Sequence, residues 1–181
     1  ATAARAQPWT IAADEAQRMA LEADTTFGTD SPDAGRRGME AARAIGLLTY
    51  RGSSAYNATQ QEHDDPDKTR GFRACSYQRH QGEKLSRRFD AYSYRRITEA
   101  FDSHNVGRGR GGVERALGTI GADTLVVGIT SDIILPVGEQ LALWRHIPHC
   151  RMELIVSDFG HDGFLVEHAK LDAILGPFIE S

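Results

Sequence analysis

The chain has 181 residues, of which 40% are hydrophobic and 25% are charged, with a formal net charge of -4 at pH 7. This length allows one sizeable hydrophobic core and is short for two full domains. The nearly balanced charge excludes the strong positive field of a protein that binds nucleic acid or an anionic membrane surface. We therefore expect one compact unit with a small-molecule partner.

Two cysteines, Cys75 and Cys150, lie far apart and lack the paired spacing of zinc sites and disulfide frameworks. We expect a reducing, cytoplasmic location and no bound metal. No apolar run reaches the roughly 18 residues of a membrane helix. The first residues, ATAARAQPW, also lack the apolar core of a signal peptide. Because the chain begins at Ala1 and not at methionine, we expect it to be part of a longer protein.

The first part of the chain has the apolar spacing of helices. Residues at three- and four-residue intervals predict helices over 12–23, 36–50 and 76–90, and a short helix around 94–101. Small residues in the second of these favour close packing on a neighbour. The polar segment 52–71 shows no periodicity and predicts a loop, with room for a short helix.

The second part alternates between strands and helices. Continuous apolar, β-branched runs at 122–129 and 152–156 are typical of strands that are covered on both faces. Residues 137–147 between them have helical spacing, and a helical stripe follows at Phe164, His168, Leu171, Leu175 and Phe178. This order predicts an α/β fold with parallel strands, and a sheet of this kind needs more strands than these two.

Each predicted strand is followed by an ionisable side chain. Asp132 follows the first strand, and His161 follows the second in the sequence SDFGHDG. Ligands and catalytic groups of parallel sheets gather beyond the carboxyl ends of the strands. A carboxylate that precedes a histidine also has the chain order of a Ser-Asp-His triad, in which the carboxylate orients the imidazole and the imidazole accepts a proton. The alternative is structural: Asp132 caps the next helix and His161 is an ordinary turn residue.

The nucleophile of such a triad is missing from this sequence. It would lie on a G-x-S-x-G turn after a strand, and neither RGSSAYN nor GTDSPDAG has that pattern or follows a strand-like run. Either the protein is not a hydrolase-type enzyme, or the serine lies on a segment outside these 181 residues.

Four blocks carry a resemblance to a known family: ARAIGLLTYRG, RFDAYSYRRITEAFDSHNVGRGRGG, ADTLVVGITSDIILP and GHDGFLVEH. Together they resemble the C-terminal half of the homoserine O-acetyltransferases, acyl-CoA-dependent enzymes of methionine biosynthesis with an α/β-hydrolase fold. The resemblance extends over essentially the whole chain. It implies the last parallel strands of that fold with their crossover helices and a helical lid, while the half with the nucleophile elbow is absent. Residues 1–110 would be the post-strand segment and the lid, and residues 111–181 the C-terminal strands and helices.

The resemblance also implies a reaction. An upstream serine takes an acetyl group from acetyl-CoA, a co-substrate, and passes it to the hydroxyl of homoserine; no cofactor stays bound. By motif position Asp132 and His161 match the catalytic carboxylate and base, while Arg51 and Asp162 match residues associated with the amino acid substrate. Their charges suit its carboxylate and ammonium groups. The structural alternatives are a solvated helix end for Arg51 and a helix cap for Asp162. The family's lids form homodimers.

The charge is unevenly distributed along the chain. Residues 68–110 hold eleven Lys or Arg against four Asp or Glu, so this segment carries seven net positive charges and the remainder is acidic. A basic lid face would attract the phosphates of coenzyme A. Our hypothesis is that some of four arginines line the donor entrance: Arg87, Arg88, Arg108 and Arg110. The alternative is that these charges are solvated helix faces.

Three other functions stay open from the sequence. A related acyltransferase would use succinyl-CoA as donor or serine as acceptor. A hydrolase of the same fold would use water as acceptor. A non-catalytic module would keep the fold without the nucleophile and act as a binding or subunit-interface protein.

Overall fold

The computed structural model describes residues 2–63, 65 and 67–180. Within these ranges the chain forms nine α-helices and two parallel strands. No helix in this part of the chain is both long and apolar enough to cross a bilayer. The division at residue 110 stays a prediction.

The first part of the chain contains five helices: α1 (Pro8–Glu22), α2 (Arg36–Tyr50), α3 (Ser53–Gln60), α4 (Arg73–Ser86) and α5 (Ala91–Asp102). The predicted bounds of α2 hold at both ends. Helix α1 begins four residues earlier than predicted because Pro8 occupies the first turn, where its missing N–H costs no hydrogen bond. Helix α3 is the short helix allowed for in the segment 52–71. Asp90 caps α5 by accepting a hydrogen bond from the backbone N–H of Ser93.

Helices α1, α2 and α5 share a core of Leu21, Met39, Ala42 and Ala91, each at most 2% exposed. Burial of a side chain such as Leu21 or Met39 contributes about 1.5–3 kcal/mol. The helices approach at backbone distance, because a Cβ on Gly38 would lie 2.7 Å from the carbonyl oxygen of Ala20. The small residues of α2 therefore permit the close packing that the sequence predicted.

The second part contains α6 (Val113–Leu117), β1 (Thr124–Ile129), α7 (Val137–His146), β2 (Cys150–Ile155), α8 (Gly163–Val166) and α9 (His168–Ile179). The strands pair in parallel, with Thr124 opposite Cys150 and Ile129 opposite Ile155. Residues of α6, β1 and α7 form a second core. Coverage is incomplete on β2, where Leu154 is 46% exposed. The predicted stripe after residue 163 is two helices, because Glu167 leaves helical geometry with ψ 49°.

The end of α2 crosses the loop after β2 at two glycines. Gly160 has φ +66°, and a Cβ there would lie 2.8 Å from the carbonyl oxygen of Tyr50. Gly52 has ordinary angles, φ -68° and ψ 132°. A Cβ on Gly52 would collide with the carbonyl oxygen of Asp158 and lie 2.9 Å from the nitrogen of Gly160. Neither collision partner is a flexible side chain, so this crossing admits only glycine without a backbone shift.

We predict that Gly52→Ala lowers the free energy of unfolding by about 1–3 kcal/mol through overpacking. Alanine fits the local angles, so the crowding alone is tested. Gly138→Ala is the control, because a Cβ on Gly138 meets no atom within 4 Å. Urea unfolding measures both variants, and equal midpoints would contradict the close crossing.

A buried polar cluster joins α1 to α5. Arg18 Nη2 lies 2.6 Å from Asp102 Oδ2, and Gln17 Nε2 donates to Asp14 Oδ1 at 3.0 Å. Burial, joined by the charge of Asp102, raises the pKa of Asp14 from 3.8 to about 6, although Arg18 opposes the shift. The folded protein therefore retains a proton on Asp14 at pH values where the unfolded chain has released it.

We predict that the free energy of unfolding falls as pH rises and that this fall depends on Asp14. Between about pH 4 and 6 the folded state binds more protons than the unfolded state, so the free energy of unfolding falls as pH rises through this window. Solvent screening reduces the contribution of the Asp14 proton to the free energy of unfolding to roughly 1 kcal/mol. Asp14→Asn should remove it, whereas Asp33→Asn, at an exposed carboxylate, should not. Unfolding curves at pH 4.5 and 7 give the difference, and parallel pH profiles for Asp14→Asn and the parent would refute it.

Candidate active site

The loops that follow the two strands place Asp132 and His161 at one edge of the sheet. Because Ile129 and Ile155 are paired, the loops that follow β1 and β2 leave side by side. His161 lies in a single 3-10 turn, Gly160–Asp162. Its Nδ1 atom is 2.7 Å from Oδ2 of Asp132. The structure thus brings together the two residues that were predicted to meet.

Asp132 is buried, with 1% of its side chain exposed. Its Oδ1 atom accepts hydrogen bonds from the backbone N–H groups of Ile134 and Leu135, both at 2.9 Å. One oxygen therefore fixes the carboxylate to its own loop while the other bonds the imidazole. Asp132 does not occupy the cap position of α7, which is Pro136. Its local turn bonds and its bond to histidine coexist, so the structural and catalytic interpretations are compatible.

The hydrogen bond to Asp132 also determines the tautomer of His161. A carboxylate only accepts, so Nδ1 carries the hydrogen and Nε2 of the neutral ring is a proton acceptor. The side chain is 21% exposed. Its ring lies edge-on to Phe164 at 5.4 Å between centroids, and the ring of Tyr50 is 6.1 Å away. Burial, with a smaller effect of Asp14, raises the pKa of Tyr50, so this neighbour remains a neutral phenol at pH 7.

Hydrogen bonds between the loops hold the turn that carries His161, Gly160–Asp162, in place; we call it the imidazole turn. The backbone N–H of Gly160 donates to Ser131 Oγ at 2.9 Å, and that of Ser157 donates to Thr130 Oγ1 at 3.3 Å. With the Gly52–Gly160 crossing, these bonds fasten the loop after β2 to both the loop after β1 and the end of α2. Sequence reasoning missed Ser131 and Gly52, although both directly follow or precede predicted site residues.

Arg51 and Asp162 also meet at this edge. Arg51 Nε is 3.2 Å from Asp162 Oδ2, with 30% and 24% of the two side chains exposed. Asp162 makes no side-chain cap bond to α8, so the cap alternative does not apply. Arg51 is the C-cap residue directly after α2, and its Nη2 donates to the hydroxyl of Tyr77 at 2.7 Å. Tyr77 was not predicted, because nothing in the sequence of α4 marks it.

A cleft of about 420 Å³ opens beside these residues. Its lining includes Arg51, Ser131 and Ile133, the last two on either side of Asp132. This volume is within the range of small-molecule sites. Of the four predicted site residues, Arg51 lines this space, which is large enough for a ligand of amino acid size.

Three of the four arginines proposed for the donor entrance have local partners. Arg110 Nη1 donates to the carbonyl of Val106 at 3.0 Å, Arg108 Nη2 donates to the carbonyl of Ser103, and Arg87 lies 3.8 Å from Glu83. These contacts agree with solvated or loop-stabilising roles. The hypothesis of a donor entrance stays a prediction.

No family model matches the chain, but individual proteins do. A homoserine O-acetyltransferase of Cyclobacterium marinum is 43% identical over 98% of this chain and 50% of its own length. The chain spans about half the length of the curated relatives it matches.

Solved structures give the same result for the fold. The homoserine O-acetyltransferase of Staphylococcus aureus superposes with a TM-score of 0.76 at 28% identity, over 99% of this chain and 49% of that one. A mutant of esterase E22 superposes with a TM-score of 0.87 over 99% of this chain and 52% of its own, and at 17% identity it shows the fold alone. The resemblance predicted from the sequence is confirmed: over almost its whole length the chain is similar to about half of the length of the homoserine O-acetyltransferases, and it forms about half of their α/β-hydrolase fold.

Proposed function

We propose that the chain is part of an acyltransferase that moves an acetyl group from acetyl-CoA to the hydroxyl of L-homoserine, in cytoplasmic methionine biosynthesis. The observation that carries the proposal is the 2.7 Å bond between His161 Nδ1 and the buried carboxylate of Asp132. The names of relatives at about 40% identity support the choice of substrates. Two free cysteines, Cys75 and Cys150, suit a reducing compartment.

The reaction would proceed in two steps at one serine. This serine lies outside the 181 residues, which contain no G-x-S-x-G. In the first step His161 Nε2 takes the proton of the serine hydroxyl, whose oxygen attacks the thioester carbon, and the proton passes to the departing thiolate of coenzyme A. The product is an acetyl-serine. Asp132 stabilises the imidazolium that forms on the way.

In the second step homoserine takes the place of coenzyme A. His161 deprotonates its side-chain hydroxyl, which attacks the acetyl-serine carbonyl, and the proton returns to the serine oxygen as the ester bond to the enzyme breaks. O-acetylhomoserine leaves and the serine is restored. No cofactor is consumed or held.

The acceptor would be recognised through both of its charges. Arg51 and Asp162 form a partly exposed ion pair at 3.2 Å, beside the cleft. An amino acid can replace the contact between them, because its carboxylate pairs with Arg51 and its ammonium with Asp162. An acceptor that lacks one of these groups would leave the opposite charge without a partner.

The helical part offers a surface for a second copy. Trp9 is 56% exposed, Met19 62% and Phe101 63%, all on helices α1 and α5. Exposed large apolar side chains on neighbouring helices favour an interface. We therefore include in the proposal a homodimer through the helical lid, which lies within the segment 1–110.

We predict that Asp132→Asn lowers kcat by about 10³–10⁴-fold with little change in thermal stability. The introduced amide oxygen can still accept from Ile134 and Leu135, but its NH₂ group donates to Nδ1 and forces the proton onto Nε2, the wrong tautomer. The full-length gene product is assayed by release of the coenzyme A thiol. Asp123→Asn, at an exposed aspartate beside the opposite end of β1, is the control.

The same assay tests the substrates. Acetyl-CoA with homoserine should give the highest kcat/KM among the pairs of acetyl-CoA or succinyl-CoA with homoserine or serine. Continuous turnover of the thioester at a rate that is independent of any acceptor would indicate a hydrolase, and no turnover with any pair would favour a non-catalytic module. For Asp132→Asn, a kcat equal to that of the parent protein would show that the proposed triad does not carry the reaction.

A further inference from the structure

The guanidinium of Arg51 has two neighbours of different kinds. Its Nε atom is 3.2 Å from Asp162 Oδ2, yet among the described residues this buried Nε has no hydrogen-bond partner. The Nη2 atom, in contrast, donates to the hydroxyl of Tyr77 at 2.7 Å. The directional bond that orients the guanidinium is therefore the one to Tyr77, and Asp162 contributes attraction without hydrogen-bond geometry.

Tyr77 is itself held firmly. Tyr56 packs edge-on against its ring at 5.8 Å between centroids. The next residue, Gln78, donates from Nε2 to the carbonyl of Ala44 at 3.0 Å and fastens α4 to α2. Farther along α4, a Cβ on Gly82 would lie 2.6 Å from the carbonyl oxygen of Glu40, so the two helices touch at the backbone. The hydroxyl is thus a fixed acceptor on a rigid surface.

The neutral hydroxyl has an electrostatic consequence. An arginine that bonds a carboxylate through two parallel N–H groups is strongly paired. Each group then compensates the charge of the other, and less of either charge is available to a ligand. Tyr77 accepts one N–H of Arg51 without adding negative charge, and the contact of Arg51 with Asp162 is not a bidentate pair. Arg51 keeps its positive charge for an anion, and Asp162 keeps its negative charge for a cation.

We propose that Tyr77 is a positioning residue: it holds Arg51 in the orientation that receives the carboxylate of the acceptor and keeps Asp162 available for the ammonium. This inference rests on the proposed function and adds a residue on α4 to the acceptor site. Tyr77 acts through Arg51, and its loss is expected to affect acceptor binding selectively.

The test is Tyr77→Phe in the full-length gene product, since phenylalanine keeps the ring that packs on Tyr56. We expect KM for homoserine to rise about tenfold, the effect of losing one hydrogen bond to a charged group. The burst of coenzyme A thiol without acceptor, which reports formation of the acetyl-enzyme, should be unchanged. Tyr92→Phe is the matched control, because its hydroxyl bonds Gly28 and Thr29 on another part of the helical segment.

Two further measurements separate positioning from a general structural effect. The penalty of Tyr77→Phe should disappear with homoserinamide, which has no carboxylate, and in an Arg51→Ala background, as expected when one residue acts through another. An unchanged KM for homoserine, or an equal penalty with the amide or without Arg51, would overturn the role of Tyr77. Failure of the parent protein to acetylate homoserine would instead refute the proposed function.

Discussion

The in-register parallel pairing of β1 and β2 is the constraint on which the candidate site depends. It places the residues after Ile129 next to those after Ile155, so two loops 29 positions apart in sequence meet at one edge. The 2.7 Å bond between His161 and Asp132 is possible only there. A slip of two residues would move one loop by about 7 Å, more than twice the length of this hydrogen bond.

The Gly52–Gly160 crossing extends this edge into the helical part. Two backbones that touch without side chains between them bring the end of α2 to the imidazole turn. Arg51 and Tyr50, the residues immediately before the crossing, become neighbours of Asp162 and His161. The helical segment is therefore part of the candidate site. The packing of α2 on α4 determines where the guanidinium of Arg51 lies.

Asp132, Asp162 and Asp14 differ in environment, and this gives them different roles. Asp132 is buried and fully bonded, so it serves only as a fixed partner of His161. Asp162 is partly exposed beside Arg51 and is accessible to a ligand. Asp14 is buried next to Asp102, and its raised pKa makes it a determinant of stability away from the sheet edge.

The sequence by itself determined most of the helices, the two strands and the resemblance to the homoserine O-acetyltransferases. Apolar spacing and β-branched runs depend on local periodicity, so α2 and β1 were found within a residue or two. It also indicated Asp132, His161, Arg51 and Asp162 as candidate site residues, the first two from their positions after strands and the others from the resemblance. The sequence did not predict helix boundaries such as the break at Glu167, because they depend on backbone angles that apolar spacing does not encode.

The tertiary structure decided which of these residues touch, and through what. Tyr77 lies 26 positions from Arg51 on another helix, and Ser131 bonds a backbone N–H that is 29 positions away. Such contacts have no periodic signature, because they arise from where packed helices and loops place single atoms. The chain supplies the charged groups of the site, and only the packing of its helices on the sheet edge determines their partners and orientation.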